Sequence, residues 1–249
     1  MPGRLDGRVA VVTGAAGGLG RAAAIRLASE GAAVETLDLK DGAGVVREIR
    51  EAGGAAHAIL CDCTDEAQIG RAVREIEGRH GRVDILVNNA GILSGRKPWH
   101  TLTKEEVNRY VQVNYIGYFL VTKAFYPLIK KSGAPRIIMV ASRTYFLANP
   151  GQMSYVASKG AVMGMTRVLA KELGEDGIPV NAVMPGMVAT PGTMEYSQEE
   201  AFNRVMSNQA IKKRVQPEHL AGLIAFLASD DAELITGQTI ICDGGGYLH

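Results

Sequence analysis

Val9-Ala-Val-Val-Thr13, followed by Gly14-Ala-Ala-Gly-Gly-Leu-Gly20, decides the architecture of this chain. The first run is short, continuous and apolar, which suits a strand covered on both faces. A helical pattern over 18–30 follows directly. Between them Gly14, Gly18 and Gly20 follow the spacing G-x-x-x-G-x-G. Glycines permit the tight turn and let the amides at a helix start approach a pyrophosphate. The spacing is one residue longer than the G-x-G-x-x-G dinucleotide fingerprint. The turn therefore reads as a place where a strand hands a dinucleotide to the N-terminus of a helix.

Outward from this turn the same alternation repeats. Strand-like runs stand at Val9–Thr13, Ala33–Leu37, Ala56–Leu60, Ile85–Asn88, Ile137–Ala141, Val180–Val183 and Thr239–Cys242. Helical patterns separate them near 18–30, 43–52, 65–79, 103–131, 154–174 and 217–228. Strand–helix alternation with continuous apolar strands predicts an α/β chain. It is read as one doubly wound domain over 1–249, with a parallel sheet of about seven strands and helices on both faces. Asp65 and Thr103 are expected N-caps, the second with Glu106 in a capping box. Pro127 predicts a kink or break inside 103–131. Pro179 is compatible with the sixth strand only if it opens it. The stretch 186–216 reads as irregular, and a short lid over the site is expected near 187–210.

Composition narrows the function. A formal net charge of +1 gives no electrostatic case for nucleic acid or a membrane surface. No run approaches the ~20 apolar residues of a membrane span. The start Met1-Pro-Gly-Arg4 lacks a signal-peptide core, and three cysteines give no disulfide framework, so a cytoplasmic protein is expected. Cys61-Asp-Cys63 offers only two soft ligands on one strand face, with no Cys/His pair at suitable spacing to complete a site; no metal is expected.

Two further features point to redox chemistry. Asp38 closes the second strand, 18 residues after Gly20, where a carboxylate can bind ribose hydroxyls and repel a 2′-phosphate. NAD is thus expected over NADP. Tyr155 and Lys159 stand four apart on one helix face, so an ammonium lies beside a phenol and is expected to favour its ionised form. Ser142 precedes the tyrosine by thirteen residues.

Taken together these residues resemble the short-chain dehydrogenase/reductase family over essentially the whole chain. The resemblance implies a Rossmann-type fold and assigns roles by position. Gly14, Gly18, Leu19 and Gly20 fall in the cofactor turn. Asp62 and Cys63 follow the third strand, where the family contacts adenine. Asn89 and Gly91 belong to the Asn-Asn-Ala-Gly motif at 88–91. Pro185, Gly186, Val188 and Thr190 match the segment that holds the nicotinamide carboxamide. Asn114, Ser142, Tyr155 and Lys159 match the catalytic tetrad; Asn114 is expected to bend its helix so that its carbonyl holds a water leading to Lys159. The implied reaction is NAD-dependent hydride transfer at the carbon of a small alcohol or carbonyl, with Tyr155 as general acid/base. A nucleotide-binding regulator that has lost its chemistry is the competing class, and the intact tetrad favours the enzyme.

Loops at 92–98, 143–152 and 187–206 are expected to wall the substrate site. Ser142, Thr144, Gln152, Tyr155 and Met187 are the candidate substrate contacts. Tyr145, Phe146, Leu147, Met187 and Met194 make a partly apolar wall, while Arg96, Lys97 and Arg143 offer charge for an anionic group. The segments Ser142-Arg-Thr-Tyr-Phe-Leu147 and Ile235-Thr-Gly-Gln-Thr239 resemble bacterial dehydrogenases of aromatic secondary alcohols or pyridoxal-like rings. Apolar residues on several helix faces (Tyr115, Tyr118, Phe119, Val162, Met163, Met165, Val168) predict a homotetramer, with Gly244–His249 near a subunit contact.

Overall fold

The computed structural model describes residues 3–93 and 95–248. Met1 and Pro2, Ser94 of the 92–98 loop, and His249 of the expected subunit contact lie outside the described residues. Seven strands form one parallel sheet: β1 Val9–Thr13, β2 Ala33–Asp38, β3 Ala56–Leu60, β4 Ile85–Asn88, β5 Arg136–Val140, β6 Val180–Pro185 and β7 Thr239–Cys242. Their spatial order is 3-2-1-4-5-6-7. β1 pairs on one side with Ala33–Leu37 and on the other with Ile85–Val87. The order reverses between β1 and β4, so the crevice at their carboxyl ends is where an open α/β sheet binds its ligand.

The strands read correctly because β1, β4, β5 and β6 are buried along their whole length. Helices α1 (Gly18–Ser29) and α2 (Ala43–Glu51) cover one face together with a later helix, Pro217–Ala228. Leu27, Ile49 and Ile224 fill that layer. On the other face α3 (Glu66–His80) packs beside two helices within 104–172, with Ile76, Phe125 and Val162 in the core. Asp65 caps α3 by accepting from Ala67 and Gln68 N–H, as its type and position imply. Pro179 sits just outside β6, so its missing N–H costs the ladder nothing, while its carbonyl accepts from Ile137 N–H.

Three expectations are corrected. The long helix does not break at Pro127. Helix α4 (Lys104–Val111, capped by Thr103 in a full capping box) runs into a π turn at Gln112–Ile116, and α5 (Gly117–Ile129) continues through Pro127. Pro127 and Lys123, four residues before it, are both exposed, so water can satisfy the carbonyl the proline leaves unpaired. The bond pattern is instead interrupted at Gly117, whose N–H donates five residues back to Gln112. A single helical turn, α6 (Thr144–Leu147), precedes α7 (Met153–Glu172). Finally, 186–216 is not irregular throughout. It holds α8 (Pro191–Tyr196) and α9 (Glu199–Ser207) before α10 (Pro217–Ala228). Only Phe202 of α8 and α9 is buried, but α9 carries a stripe of Ala201, Phe202, Val205 and Met206 at helical spacing, a sequence signal for it. Thr190 as N-cap with Pro191 at the first helical position was the signal available there.

Candidate active site

The glycine turn is shaped by contacts that leave no room for side chains. Gly14 has φ +64°, and a Cβ there would come within 2.7 Å of Ala90 Cα. A Cβ on Gly20 would lie 2.2 Å from the Gly14 carbonyl oxygen. At the N-terminus of α1 no side chain caps the free amides and no acid sits in the first turn. That end of the helix suits an anionic group on field and hydrogen-bond grounds. Asn89 fastens the turn to the end of β4: its Nδ2 donates to the carbonyls of Thr13 (2.9 Å) and Gly14 (3.0 Å). Thr13 Oγ1 accepts from Asn89 and Ala90 N–H. Asn89 thus builds the turn from behind, and Thr13 is a supporting residue that the glycine pattern alone did not reveal.

Around this turn stand the other expected nucleotide contacts. Asp38 ends β2, and its carboxylate accepts from Ala16 N–H at 2.8 Å and Lys40 N–H at 2.9 Å. These two bonds fix it beside the glycine turn and leave lone pairs over. Asp62 accepts from the N–H and hydroxyl of Thr64. Cys63 is buried behind it; its hydrogen bond to Cys61 and its burial push the thiol up, so it is an uncharged backing. On the opposite side β6 ends at Pro185, Gly186 N–H donates to the Cys242 carbonyl, and Val188 is buried. Thr190 comes back over the turn: a Cβ on Gly18 would lie 3.6 Å from the Thr190 side chain. The residues present therefore fit a nicotinamide dinucleotide, with Gly18 and Leu19 at its phosphate end.

The tetrad residues come together from three segments. Tyr155 and Lys159 lie on α7, almost fully buried. Lys159 Nζ donates to the Val140 carbonyl at 2.7 Å and to Tyr118 Oη at 3.2 Å. Gly91 is next to it; a Cβ there would be 3.6 Å from Nζ. Asn114 sits in the π turn, fully buried. Its Oδ1 accepts from Ile92 N–H (2.8 Å), and its Nδ2 donates to the Ile92 carbonyl (3.1 Å) and Ser158 Oγ (3.1 Å). Ser142 follows β5; its hydroxyl bonds Tyr155 and accepts from Thr144 Oγ1 at 2.9 Å.

Burial, and not the ammonium, dominates the protonation of this pair. Among the described residues Lys159 has no carboxylate partner, and burial alone lowers its pKa to about 7. Burial also raises Tyr155 above the ordinary phenol range, and the Ser142 hydrogen bond opposes this more weakly. The expected lowering of Tyr155 by a neighbouring cation is therefore absent from the protein by itself. Tyr118 explains part of this. It occupies the place beside Lys159, with the ammonium 5.0 Å from its ring centroid. Tyr118 and Val162 were read as spare apolar surface; both are buried inside the chain, at 1% and 0% exposure. A tyrosine four residues after Asn114 was the sequence signal for this contact.

The cations of the expected substrate loops are engaged by the chain itself. Arg143 is buried and paired with Asp243 at 2.8 Å. Lys97 pairs with Glu106, and Arg96 donates to the Pro150 carbonyl. Tyr145 lies across α7, where a Cβ on Gly160 would reach 2.9 Å from its ring. Phe146 stacks on Tyr247 of the C-terminal tail at 4.9 Å. Gln152 stands at the start of α7 and accepts from Asn149 Nδ2. Helix α8 rests on the loop after β4: a Cβ on Gly192 would be 3.5 Å from Leu93, and one on Gly95 would be 3.4 Å from Tyr196. Met187, half-buried, is at the root of that segment.

Comparison with known proteins agrees with this geometry. The family described as enoyl-(acyl carrier protein) reductase matches residues 14–247. The chain is 38% identical to a 3-oxoacyl-[acyl-carrier-protein] reductase of Thermotoga maritima, over 97% of this chain and 98% of that one. It is 37% identical to a cyclopentanol dehydrogenase of Comamonas testosteroni, over 98% of each. Among solved structures, a 7α-hydroxysteroid dehydrogenase complexed with NADH and 7-oxo glycochenodeoxycholic acid superposes with a TM-score of 0.93 at 33% identity, covering 99% of this chain and 96% of that one. The chain belongs to the short-chain dehydrogenase/reductase family and is an NAD(P)-dependent oxidoreductase of alcohols and carbonyls.

Proposed function

We propose that the protein, acting as one domain over 1–249 in the cytoplasm, uses NAD to oxidise a small neutral secondary alcohol, or NADH to reduce the matching ketone. The reading is carried by the Asn114/Ser142/Tyr155/Lys159 constellation beside a glycine turn closed by Asp38. When bound, the nicotinamide supplies the hydride acceptor or donor. Ser142 donates a hydrogen bond to the substrate oxygen, and Tyr155 takes the hydroxyl proton as hydride leaves the same carbon, or returns it in reduction. Lys159 holds the ribose, and its charge then opposes the burial that raises Tyr155. The Asn114 main-chain carbonyl, in the π turn, holds a water that leads to Lys159. Gly14, Gly18, Leu19 and Gly20 receive the phosphates, Asp62 and Cys63 border the adenine, and Pro185, Gly186, Val188 and Thr190 border the carboxamide. Asn89 and Gly91 shape the floor.

Engagement of Arg96, Lys97 and Arg143 by their own neighbours supports an uncharged substrate. Thr144, Gln152 and Met187 line its side, with 187–210 as the lid. The cyclopentanol dehydrogenase relative supports the same substrate class. The test is turnover of secondary alcohols and ketones, aromatic and cyclic members included, followed by NADH absorbance. No turnover of any member would favour a binding protein of the same fold.

Cofactor choice rests on Asp38. The unaltered protein is expected to favour NAD(H), and Asp38→Ser to lower its kcat/KM preference by roughly tenfold or more, since repulsion of a 2′-phosphate is lost. Equal efficiency with NADP(H) before substitution would sink this.

Assembly is proposed to be homotetrameric. Among the described residues, Phe119 on α5 and Val168 on α7 remain exposed, at 46% and 54%. Light scattering should return about four times 26.5 kDa; a monomer at micromolar concentration would refute it.

A further inference from the structure

A second cluster of chemistry-bearing side chains lies away from the catalytic crevice, under the C-terminal end of α3. Glu35 is in the middle of β2 and fully buried. His57 is its direct register partner on the edge strand β3. His80 is the last residue of α3. Glu35 Oε1 stands 3.1 Å from His57 Nδ1 and 2.7 Å from His80 Nε2. The three ligand atoms all lie within 4.8 Å of one another. None of these residues takes part in the reaction proposed above.

We propose that Glu35, His57 and His80 form a binding site for a divalent transition-metal ion of the zinc class. Two imidazoles and one carboxylate are a borderline-soft donor set that suits Zn²⁺ and not Mg²⁺. A tetrahedral ion about 2.0–2.1 Å from each ligand atom needs those atoms roughly 3.3 Å apart; the Glu35 contacts, at 3.1 and 2.7 Å, must lengthen toward that value, and the two imidazole nitrogens already lie within 4.8 Å of each other. His57 can give that distance because its side chain is 40% exposed on an edge strand. The exposed side of His57 is where water would take the fourth position.

The surroundings are arranged as the outer partners of a metal site are. Arg79 donates to the other carboxylate oxygen, Oε2, at 2.6 Å. It fixes the orientation of the ligand and leaves Oε1 for the ion. Glu75 pairs with the far side of Arg79 at 2.7 Å. With both imidazoles neutral, Glu35, Glu75 and Arg79 sum to one negative charge, which a dication reverses without burying two unopposed positive charges. The negative end of the α3 dipole also points here, and its last residues are the ligand His80 and Arg79. The cluster is hidden in the sequence because its three ligands come from separate elements at no recognisable spacing. Their distance from Asp38 along β2 makes the ion a clamp on the β2–β3 edge, not a catalyst.

The experiment is a titration of the full-length protein with ZnCl₂ at pH 7.5, read by calorimetry and by competition with a chromogenic chelator, with thermal melts in parallel. One Zn²⁺ per chain is expected, with Tm raised by about 5 °C or more at saturating metal. MgCl₂ should do neither. His57→Ala changes a half-exposed edge residue and leaves the Glu35–Arg79 pair in place; it should lose the binding and the Tm response while keeping unaltered turnover. His80→Asn should do the same, and Cys61→Ser should bind normally. No binding at 100-fold excess, which leaves the cluster an ion-pair network only, would overturn the proposal. So would binding that survives His57→Ala or His80→Asn.

Discussion

Tyr155→Phe is expected to lower kcat for alcohol oxidation by ~10²–10⁴-fold, the usual loss when a general acid–base group is removed. The substitution keeps the ring that fills the buried space on α7 and deletes only the oxygen that bonds Ser142. Stability should change little, and the binding of NADH, seen by fluorescence, should persist. The pH dependence carries more information. Burial raises the Tyr155 phenol above its ordinary range. Oxidation needs the phenolate, so kcat/KM should climb with pH through an ionisation that vanishes in Tyr155→Phe. Ser142→Ala should also slow turnover by removing a donor to the substrate oxygen. It should additionally move the rise to higher pH, because the Ser142 hydrogen bond is what lowers Tyr155. The double variant should lose less than the sum of the singles, since the two groups act on one oxygen. Near-normal turnover of Tyr155→Phe would move the proton carrier elsewhere.

Legibility in the sequence followed burial. A strand covered on both faces is forced to be apolar throughout, so β1 and β4 were readable to the residue, and the half-covered edge strands β3 and β7 were read from short runs rich in apolar residues. The ends of β5 and β6 shifted because backbone pairing decides them: Arg136 N–H bonds the Asp84 carbonyl, and Pro185 pairs with Cys242. Neither event leaves a mark in apolar patterning. Helix α8 was missed because none of its residues is buried, and α9 was missed although Ala201, Phe202, Val205 and Met206 form an apolar stripe. The arrangement of the proposed site was legible where chemistry demands one residue type at one spacing: Asp38 stands beside the glycine turn, and Tyr155 and Lys159 share α7. It was not legible where a contact crosses the chain. Tyr118 looks like surface on a helical wheel, yet it hydrogen-bonds the Val140 carbonyl and receives Lys159. Arg143 looks like an anion receptor until Asp243, a hundred residues later, takes its charge. Proximity on α7 suggested that Lys159 controls Tyr155; the depth at which both are buried proves the larger effect.

Lys159→Met is expected to inactivate the enzyme and, at the same time, to stabilise the protein without cofactor. The first effect should match Tyr155→Phe in size and should also weaken NADH binding, because in the proposed mechanism one ammonium serves both the ribose and the phenolate. The second follows from burial. The Lys159 amine has a pKa of about 7 in the folded chain, against 10.5 when free in water. Between these values the unfolded chain carries a proton that the folded chain has shed, so stability gained from this group rises with pH. Below pH 7 the charge must be buried and the full penalty applies. Methionine fills the same volume without charge, and Tyr118 Oη still satisfies the Val140 carbonyl at 3.2 Å. Urea melts of both proteins should therefore show Lys159→Met ahead at pH 6. Its lead should shrink by up to about 1.4 kcal/mol per pH unit from pH 7 to 8.5. The difference between the two curves isolates the lysine, since Cys63, Cys242 and Tyr155, all held above their ordinary values, act in the opposite sense at higher pH in both proteins. A lead that stays constant with pH would mean that the amine remains charged in the fold, held by a partner other than Tyr118 and Val140.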